Sequence, residues 1–272
     1  MLGRNRYGKS GIRLVRLVRH ADRHDFKDVT VAVSFEGDFE AAHVLGDNAA
    51  VLPTDTMKNT VYAFARKLPL EEIEPFGLAL AEHFLKENAV VARVTIELSE
   101  RSWKRLSEHA FELPGQERRL AKVAGGRDGF SVTAGLADLM IAKTSRSGFA
   151  GFKRDPFTTL RETEDRILAT ALSAEWSYRK QDLPWGLLRR GVRQTLLEGF
   201  ATHNSRSVQH TLYAMGEAVV ESHEAVNEIR LTMPNKHHLL ADLSPFGLEN
   251  SNEVFVPTEE PYGLIEATIR RG

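Results

Sequence analysis

Alternating apolar and polar residues predict β-strands in both halves of the chain. Residues 29–35 read Val-Thr-Val-Ala-Val-Ser-Phe, and a period of two residues is that of a half-buried strand. Similar alternation, or a run rich in β-branched and leucine residues, predicts further strands at 12–19, 94–98, 172–178, 226–233, 237–243 and 264–270. Two longer stretches, 103–113 and 116–143, are also strand-like, and the Gly-Gly pair at 125–126 is predicted to turn the chain within the second.

Helical periodicity predicts a pair of long helices in each half. Apolar residues from Met57 to Leu68 recur on one face, and Thr54 or Asp55 is predicted to cap this helix by accepting a hydrogen bond from a first-turn N–H. Other helices are predicted at 74–87, 188–202 and 208–219. Residues 159–162, Thr-Leu-Arg-Glu, have the capping-box pattern, which predicts a short helix running to about residue 170.

The order of these elements divides the chain into two similar halves. Two strands, two helices and two strands are followed by a looser repeat of the same order. Blocks of antiparallel-type strands around paired helices indicate an α+β fold rather than a wound parallel sheet. We therefore predict two domains, residues 1–130 and 131–272. Sheets of this kind leave open edges that another copy commonly covers, so an oligomer is expected.

Composition narrows the classes of function. Hydrophobic residues make up 42% and charged residues 27% of the 272 residues, as expected for a soluble globular protein. Lys and Arg total 36 against 37 Asp and Glu, and the lack of a basic excess disfavours a nucleic-acid partner. The absence of cysteine excludes thiolate nucleophiles, disulfides and cysteine-ligated metals. With no signal-peptide pattern and no long apolar run, a cytoplasmic protein without a membrane span is expected.

A polar cluster follows an apolar strand near residue 234. Pro234 has no N–H to donate and is predicted to end the strand. The next residues are Asn235, Lys236, His237 and His238. Such a cluster can present catalytic groups from a rigid scaffold, and it is equally the composition of an ordinary turn. If the chain stays extended, Asn235 and His237 share one face, and the other two residues face away from it.

Other polar residues lie at the ends of predicted elements, and each has a purely structural alternative. Lys9 precedes the first predicted strand and could be a solvated chain end. Arg166 lies early in a predicted helix, where it could form a surface ion pair with Asp165 or Glu162. Gln209 lies in the first turn of another helix and could be a surface amide. Taken one at a time, none of these residues identifies a function.

Six short motifs, in a fixed order along the whole chain, carry more information together. They are Tyr7-Gly8-Lys9, Pro53-Thr54-Asp55-Thr56 with Lys58-Asn59-Thr60, the Phe149–Phe152 sequence Phe-Ala-Gly-Phe, the segment from Arg154 to Leu168, Ser207-Val208-Gln209, and Pro234-Asn235-Lys236-His237. Together they resemble the motifs of the urate oxidase (uricase) family. The resemblance implies two tandem tunnelling-fold (T-fold) domains, with antiparallel sheets and paired helices. It also implies a homotetramer around a barrel-walled tunnel, with active sites at subunit interfaces.

The resemblance also implies a role for each motif residue. Lys9 and Thr54 would form a dyad that takes a proton from urate, and His237 would complete the relay with a bound water. Urate itself would be contacted by Thr54, by the backbone N–H groups of Asp55 and Val208, by a clamp of Arg166 and Gln209, and by the stacked ring of Phe149. Asn235 would lie beside the pocket for oxygen or water.

The implied reaction converts urate, O₂ and water into 5-hydroxyisourate and hydrogen peroxide, with no metal and no organic cofactor. An electron-rich urate dianion can itself reduce oxygen, so the protein needs to stabilise the dianion and align the reactants. Ala150 departs from fungal members, which have an aromatic residue there. The lack of a peroxisomal tail points to a bacterial, cytoplasmic member. Two alternatives stay open: a zinc-dependent lyase or hydrolase of the same fold, disfavoured by the lack of cysteine, and a non-catalytic purine-binding protein.

Overall fold

The computed structural model describes residues 1–180 and 182–272, and these residues form two compact units. Unit 1 contains Met1–Gly135 and Lys180–Gly186, and unit 2 contains Leu136–Arg179 and Leu187–Gly272. Mostly antiparallel strands with a few helices give the chain an α+β fold, which confirms the predicted class. None of the helices in the described residues is long and apolar enough to cross a membrane.

Unit 1 is built from antiparallel strands and the helices that pack on them. Its elements in chain order are β1 (Tyr7–Arg19), β2 (His24–Gly37), α1 (Glu40–Val44), α2 (Thr54–Lys67), α3 (Ile73–Glu87), β3 (Val91–Arg101), β4 (Lys104–Arg105), β5 (Phe111–Glu112), β6 (Arg118–Gly126) and the first part of β7 (Gly129–Lys143). Strands β1, β2, β3 and β6 are neighbours in that order. Helix α2 packs on β1, and α3 packs on β3 and β6. Alternate residues of β2, such as Val31 and Phe35, are fully buried, and each contributes about 1.5–3 kcal/mol by leaving water.

Unit 2 repeats this arrangement with longer connections between most of its strands. Its elements are the rest of β7, β8 (Leu168–Tyr178), all but the first two residues of α4 (Trp185–Thr202), α5 (Val208–Ser222), β9 (Val226–Lys236), β10 (His238–Leu240), a 3-10 turn (Ser244–Phe246), β11 (Phe255–Pro257) and β12 (Gly263–Arg270). Strand β9 pairs antiparallel with both β8 and β12. Helix α5 packs on β9 and β12, and its buried residues include Leu212, Met215 and Val219. These three residues belong to the apolar stripe that the sequence predicted.

The predicted helix from residue 159 to about residue 170 is wrong. Residues 159–167 form no helix, and β8 begins at Leu168. Leu168, Leu172 and Trp176 are fully buried, so the period-2 pattern of the strand extends further towards the N-terminus than predicted. A capping box stabilises a helix only when an apolar helical face follows it, and here the apolar residues follow a strand period.

Pro234 does not end its strand, contrary to the prediction. Strand β9 continues to Lys236, and Pro234 lies opposite Leu264 in an unbroken ladder with β12. The ladder with β8 skips from Thr170 to Ser173 at this point. Because a residue in an antiparallel ladder directs its N–H to only one neighbouring strand, the missing N–H interrupts one ladder and leaves the other intact.

Two other boundaries differ from the prediction in unit 1. The predicted turn at 125–126 lies inside β6, and the chain turns at Arg127 and Asp128 instead. The Arg127 guanidinium donates to the carbonyl of Val91 at 2.9 Å, so a side chain fixes this turn. The predicted strand at 103–113 is only the short pair β4 and β5, in which Arg105 lies opposite Phe111.

Candidate active site

In unit 1, strand β1 carries Lys9 and the beginning of helix α2 carries Thr54 and Asp55. The register of β1 against β2 shifts between Lys9 and Ile12, and Gly11 within this bulge has a φ of 69°. That conformation favours glycine, and bulges commonly redirect a side chain next to a site. Lys9 therefore lies within β1 at the bulge, rather than ahead of the strand as predicted.

Tyr7 connects β1 to the loop that precedes α2. Its hydroxyl accepts a hydrogen bond from the Leu52 N–H at 3.0 Å. Its ring packs edge-on against Phe35 and Phe39, with centroid distances of 5.8 and 4.8 Å. Burial raises the pKa of the Tyr7 phenol, while the hydrogen bond from Leu52 acts in the opposite direction. Tyr7 is therefore a neutral anchor that fixes where α2 begins.

Thr54 is the first residue of α2, and the prediction that Thr54 or Asp55 caps the helix is wrong. The N-cap is Pro53, with φ and ψ of −56° and 136° and no side-chain capping bond. Proline holds a φ that is compatible with entry into a helix, but its side chain has no acceptor for the N–H groups of the first turn. The first N–H groups of a helix have no acceptor within the helix, so the N–H of Asp55 is available to a ligand.

The Asp55 carboxylate is occupied by its own helix. It accepts from Lys58 and, at 3.0 Å, from the Asn59 amide. The bond from Lys58 is the main cause of a lowered Asp55 pKa, and the charge of Lys9 adds to it. Lys9 therefore lies close enough to the start of α2 for its charge to act there. The ion pairing occupies the Asp55 carboxylate, so the backbone N–H of Asp55 is the group that it offers to a ligand.

In unit 2, the chain between β7 and β8 holds Phe149 between two other segments. Phe149 and Thr163 exchange backbone hydrogen bonds of 2.7 and 3.1 Å. The N–H of Gly148 donates to the Ser205 carbonyl at 2.8 Å, and the N–H of Ser205 donates to the Arg146 carbonyl at 2.9 Å. Residues 146–149 are thus tied both to the approach to β8 and to the loop before α5.

Arg166 lies beside Phe149 at the approach to β8. The central carbon of its guanidinium is 5.2 Å from the centroid of the Phe149 ring. Its Nε is buried and has no hydrogen-bond partner among residues 1–180 and 182–272. Burial lowers the pKa of the Arg166 guanidinium. A buried cationic donor without a protein acceptor is costly, and this arrangement is typical of a group that is reserved for a ligand.

The alternative that Arg166 forms a surface ion pair with Asp165 or Glu162 is wrong. Asp165 instead accepts a hydrogen bond from the Ser147 N–H at 3.1 Å. Glu162 pairs with Arg154 at 3.6 Å. Burial lowers the pKa of Arg166. A neighbouring carboxylate would raise that pKa instead.

Val208 and Gln209 begin helix α5, as the sequence predicted. Ser207 is the N-cap, and its hydroxyl oxygen accepts the His210 N–H at 3.1 Å. Val208 is buried and Gln209 is exposed. Since the capping bond reaches the third residue of the helix, the N–H groups of the first two are left for other acceptors.

Asn235 and His237 lie where β9 ends. Asn235 is buried, and its neighbours across the strands are Thr170 on β8 and Gly263 on β12. His237 follows the strand, and its carbonyl accepts the Thr258 N–H at 2.8 Å. The antiparallel register places this end of β9 beside the beginning of β8. Arg166, just before β8, therefore approaches the same end of the unit 2 strands.

One pair of residues near this site was not predicted. His203 Nε2 and His210 Nδ1 are 3.2 Å apart, and their ring centroids are 4.3 Å apart. The two residues are separated by seven positions, across the loop between α4 and α5. Only the folded path of this loop brings them together, so neither strand nor helix periodicity could have indicated the pair.

Each unit therefore carries a distinct set of groups. Unit 2 carries a half-buried guanidinium, an aromatic face and the first N–H groups of α5, which together can bind a flat, anionic, hydrogen-bonding molecule. Unit 1 carries an amine, a hydroxyl and the first N–H groups of α2, which can accept and pass a proton.

Comparison with known proteins decides the family. A family model described as Uricase matches residues 5–128 and 132–266. The chain belongs to the uricase family. The family assignment confirms the resemblance drawn from the six motifs and identifies the chain as a uricase-family enzyme.

Individual uricases are similar to this chain over nearly its full length. The curated uricase of Arthrobacter globiformis is 45% identical over 100% of this chain and 90% of its own length. That of Dictyostelium discoideum is 37% identical over 98% of this chain and 96% of its own. The crystal structure of the Arthrobacter globiformis uricase superposes with a TM-score of 0.96 over 100% of this chain and 95% of that one. A Bacillus sp. TB-90 urate oxidase structure, 23% identical, covers 98% of this chain and 99% of its own with a TM-score of 0.87, which shows the same fold.

Proposed function

We propose that this uricase-family enzyme is a urate oxidase that converts urate, O₂ and water into 5-hydroxyisourate and hydrogen peroxide, without a metal or an organic cofactor. The observation that carries the proposal is the half-buried Arg166 guanidinium, whose Nε is buried without a partner in the described residues, beside the Phe149 ring at 5.2 Å from its centroid. A flat anion can stack on the ring while it accepts hydrogen bonds from the guanidinium. Urate is such an anion.

The binding half of the site is the set contributed by unit 2. Arg166 donates two hydrogen bonds, one to a carbonyl and one to a ring nitrogen of urate. Gln209 forms hydrogen bonds with the other side of the purine. The ring of Phe149 stacks on the purine face. The N–H of Val208 adds a donor at the start of α5, where the helix dipole favours an anion.

The chemical half is the set contributed by unit 1. The Lys9 amine and the Thr54 hydroxyl act as a dyad that removes a proton from urate, and Thr54 also contacts the purine. The N–H of Asp55 adds a donor to the substrate at the start of α2. The resulting dianion is electron-rich enough to reduce O₂ directly, so the remaining task of the protein is electrostatic stabilisation and alignment.

Asn235 and His237 serve the oxygen and water side of the reaction. The Asn235 amide lies beside the pocket in which O₂ or water waits above the purine ring. His237 passes a proton through a bound water to the Thr54 hydroxyl. The hydroxyl group delivered to the ring comes from water, and the two electrons lost by urate reduce O₂ to hydrogen peroxide.

We further propose that residues 1–130 and 131–272 are tandem T-fold domains and that four chains assemble around a tunnel in the bacterial cytoplasm. The sheets support assembly because β1 and β12 end the strand order of their units. Both carry exposed apolar side chains, among them Val15 and Leu264, and an open apolar edge is commonly covered by another chain. Each site then combines Lys9 and Thr54 of one subunit with Arg166 and Gln209 of its neighbour.

Metal-stripped protein tests the reaction. Loss of urate absorbance should be accompanied by consumption of one O₂ and release of one hydrogen peroxide per urate. A folded oligomer that binds urate without consuming O₂ would instead support the non-catalytic alternative. Activity that requires stoichiometric zinc would support the zinc-dependent one.

Subunit mixing tests the shared site. Lys9→Met and Arg166→Ala chains should each be nearly inactive, and co-expressed chains should recover roughly a quarter of wild-type activity, because half of random pairs are mixed and one of their two sites is intact. Light scattering checks the tetramer. Without recovery in mixed tetramers, each site would have to be formed within one chain.

A further inference from the structure

We infer that His203 and His210 form a positioning pair that holds the first turn of α5, and that protonation of this pair weakens urate binding as the pH falls. The inference rests on the proposed function, because Val208 and Gln209 in that turn are proposed urate contacts. Neither histidine touches the substrate in this proposal. They act through the backbone that presents the two contacts.

The hydrogen bonds of the pair define its protonation state. His210 Nδ1 lies 3.2 Å from His203 Nε2 and also accepts the backbone N–H of Arg206 at 3.3 Å. A ring nitrogen that accepts a backbone N–H must carry a lone pair. His210 is therefore neutral with its proton on Nε2, and the bond between the rings is donated by the Nε2–H of His203.

These bonds enclose the proposed substrate contacts. The bond from Arg206 to the ring of His210 spans Ser207, Val208 and Gln209. The same turn is closed by the capping bond from the His210 N–H to the Ser207 hydroxyl, 3.1 Å. Val208 and Gln209 thus lie within a loop that is closed twice at His210, once through its backbone and once through its ring.

His203 anchors the other side of the pair to β7. Its carbonyl accepts the Lys143 Nζ at 2.6 Å. Burial, His210, Lys143 and Arg146, in that order, lower the pKa of the His203 imidazole. The nearby carboxylate of Asp165 raises the pKa of Lys143. Burial and the charge of Arg146 outweigh this effect, so the Lys143 pKa is lowered. Two cations therefore face His203, and its ring stays neutral to lower pH than an ordinary histidine.

The sensitivity to pH follows from the acceptor atom. A proton on Nδ1 of His210 removes the acceptor of both ring bonds, whereas a proton on Nδ1 of His203 leaves its Nε2–H donor in place. With both rings neutral, both bonds are intact. When the pH is low enough for Nδ1 of His210 to take up a proton, both bonds are lost and the turn is held only by its backbone cap. The apparent KM for urate then rises, while kcat changes little.

Replacing His210 by asparagine separates positioning from titration. The Asn Oδ1 atom can take the place of Nδ1 as an acceptor, but it cannot be protonated in this range. His210→Asn should keep KM within about twofold of wild type at pH 8 and should lose the rise of KM between pH 7 and 5.5. His210→Ala should raise KM about fivefold at pH 8, the effect of one hydrogen bond, and its KM should approach that of the wild type at pH 5.5, where the wild type has lost the same bonds. Titration of urate itself affects all three proteins alike and cancels in their ratios.

A second histidine pair provides the matched control. His24 and His109 in unit 1 have the same 4.3 Å ring separation and no proposed substrate contact nearby, so His109→Asn should keep the wild-type pH profile. A His210→Asn enzyme with the acid rise intact would overturn the inference, and so would a His210→Ala enzyme with wild-type KM at pH 8. The proposed function is tested separately by turnover of the wild type. Imidazole ¹⁵N shifts at pH 8 test the pair even without turnover, because an Nδ1-protonated His210 would contradict it.

Discussion

Helices α2 and α5 each carry proposed site residues in their first turn, and the two helices are held in place by different means. Helix α2 follows Pro53 and has no side-chain cap; proline geometry and the Tyr7 anchor fix its first turn. Helix α5 is capped by Ser207, and the loop before it is joined to residues 146–149 by backbone hydrogen bonds. The first turn of α2 is thus fixed by regular elements, and the first turn of α5 by bonds between loops. Substitutions in unit 1 should therefore affect chemistry or global stability, whereas substitutions in the unit 2 loops should affect binding.

Lys9→Met should have the largest effect and should act on the chemical step. Removal of a positioned proton acceptor commonly costs about 10²–10⁴-fold in rate, so kcat should fall within that range while KM changes by less than about threefold. Steady-state kinetics at saturating urate provide the measurement, with the exposed Lys67→Met at the far end of α2 as control. A normal kcat with a raised KM would show that Lys9 binds urate and does not take part in the chemical step.

Arg119→Met should destabilise unit 1 without changing the kinetics of the folded enzyme. Arg119 is 4% exposed and contacts the fully buried Glu74, and it lies 3.4 Å from Glu100. Leaving buried carboxylates unpaired costs about 3–5 kcal/mol, which denaturant unfolding can measure. KM and kcat should stay within about twofold. A changed KM would show that the interior of unit 1 also positions the substrate.

The same variant has a defined dependence on pH. Burial raises the pKa of Glu74, and the charge of Arg119 opposes that effect. Without the guanidinium, the Glu74 pKa rises further, so its neutral form is favoured in the folded state. A carboxyl group whose pKa is higher in the folded than in the unfolded protein stabilises the fold at pH values below its unfolded pKa. This stabilisation is lost as the pH rises through the folded pKa. The deficit relative to wild type should therefore shrink as the pH falls towards about 4.5, and a deficit that is constant from pH 7 to 4.5 would contradict this account.

Arg166→Ala should weaken urate binding without destabilising the free protein. Loss of a charge-assisted clamp should raise KM by roughly 10–100-fold, with a smaller effect on kcat. Because the buried Nε has no partner in the described structure, its removal should leave the melting temperature equal or higher. The exposed Arg161→Ala serves as control. A lowered melting temperature with unchanged KM would show that the guanidinium stabilises the fold instead.

The contrast between the units also explains which parts of the molecule could be predicted from sequence. Helix α2, with Thr54 and Asp55 at its start, follows from local periodicity. The position of Arg166 does not, because the capping-box pattern at 159–162 competes with a strand whose burial is decided by tertiary packing. Pro234 likewise interrupts only one of two ladders, which depends on its neighbours. Roles for single residues came from the family motifs, whereas the histidine pair required the path of a loop.

Gly148→Ala should have the smallest effect, and it tests the loop bonds of unit 2 directly. A Cβ at this position would lie 2.9 Å from the Glu164 carbonyl oxygen and 3.1 Å from that of Thr163, so the strand-like contact that holds Phe149 must open slightly. We expect KM to rise about fivefold, as for one lost hydrogen bond, with kcat nearly unchanged. Gly115→Ala, where a Cβ would meet nothing within 4 Å, should behave as wild type in both constants. If Gly148→Ala lowered kcat but left KM unchanged, the loop would contribute to the chemical step, and the assignment of binding to unit 2 and chemistry to unit 1 would be wrong.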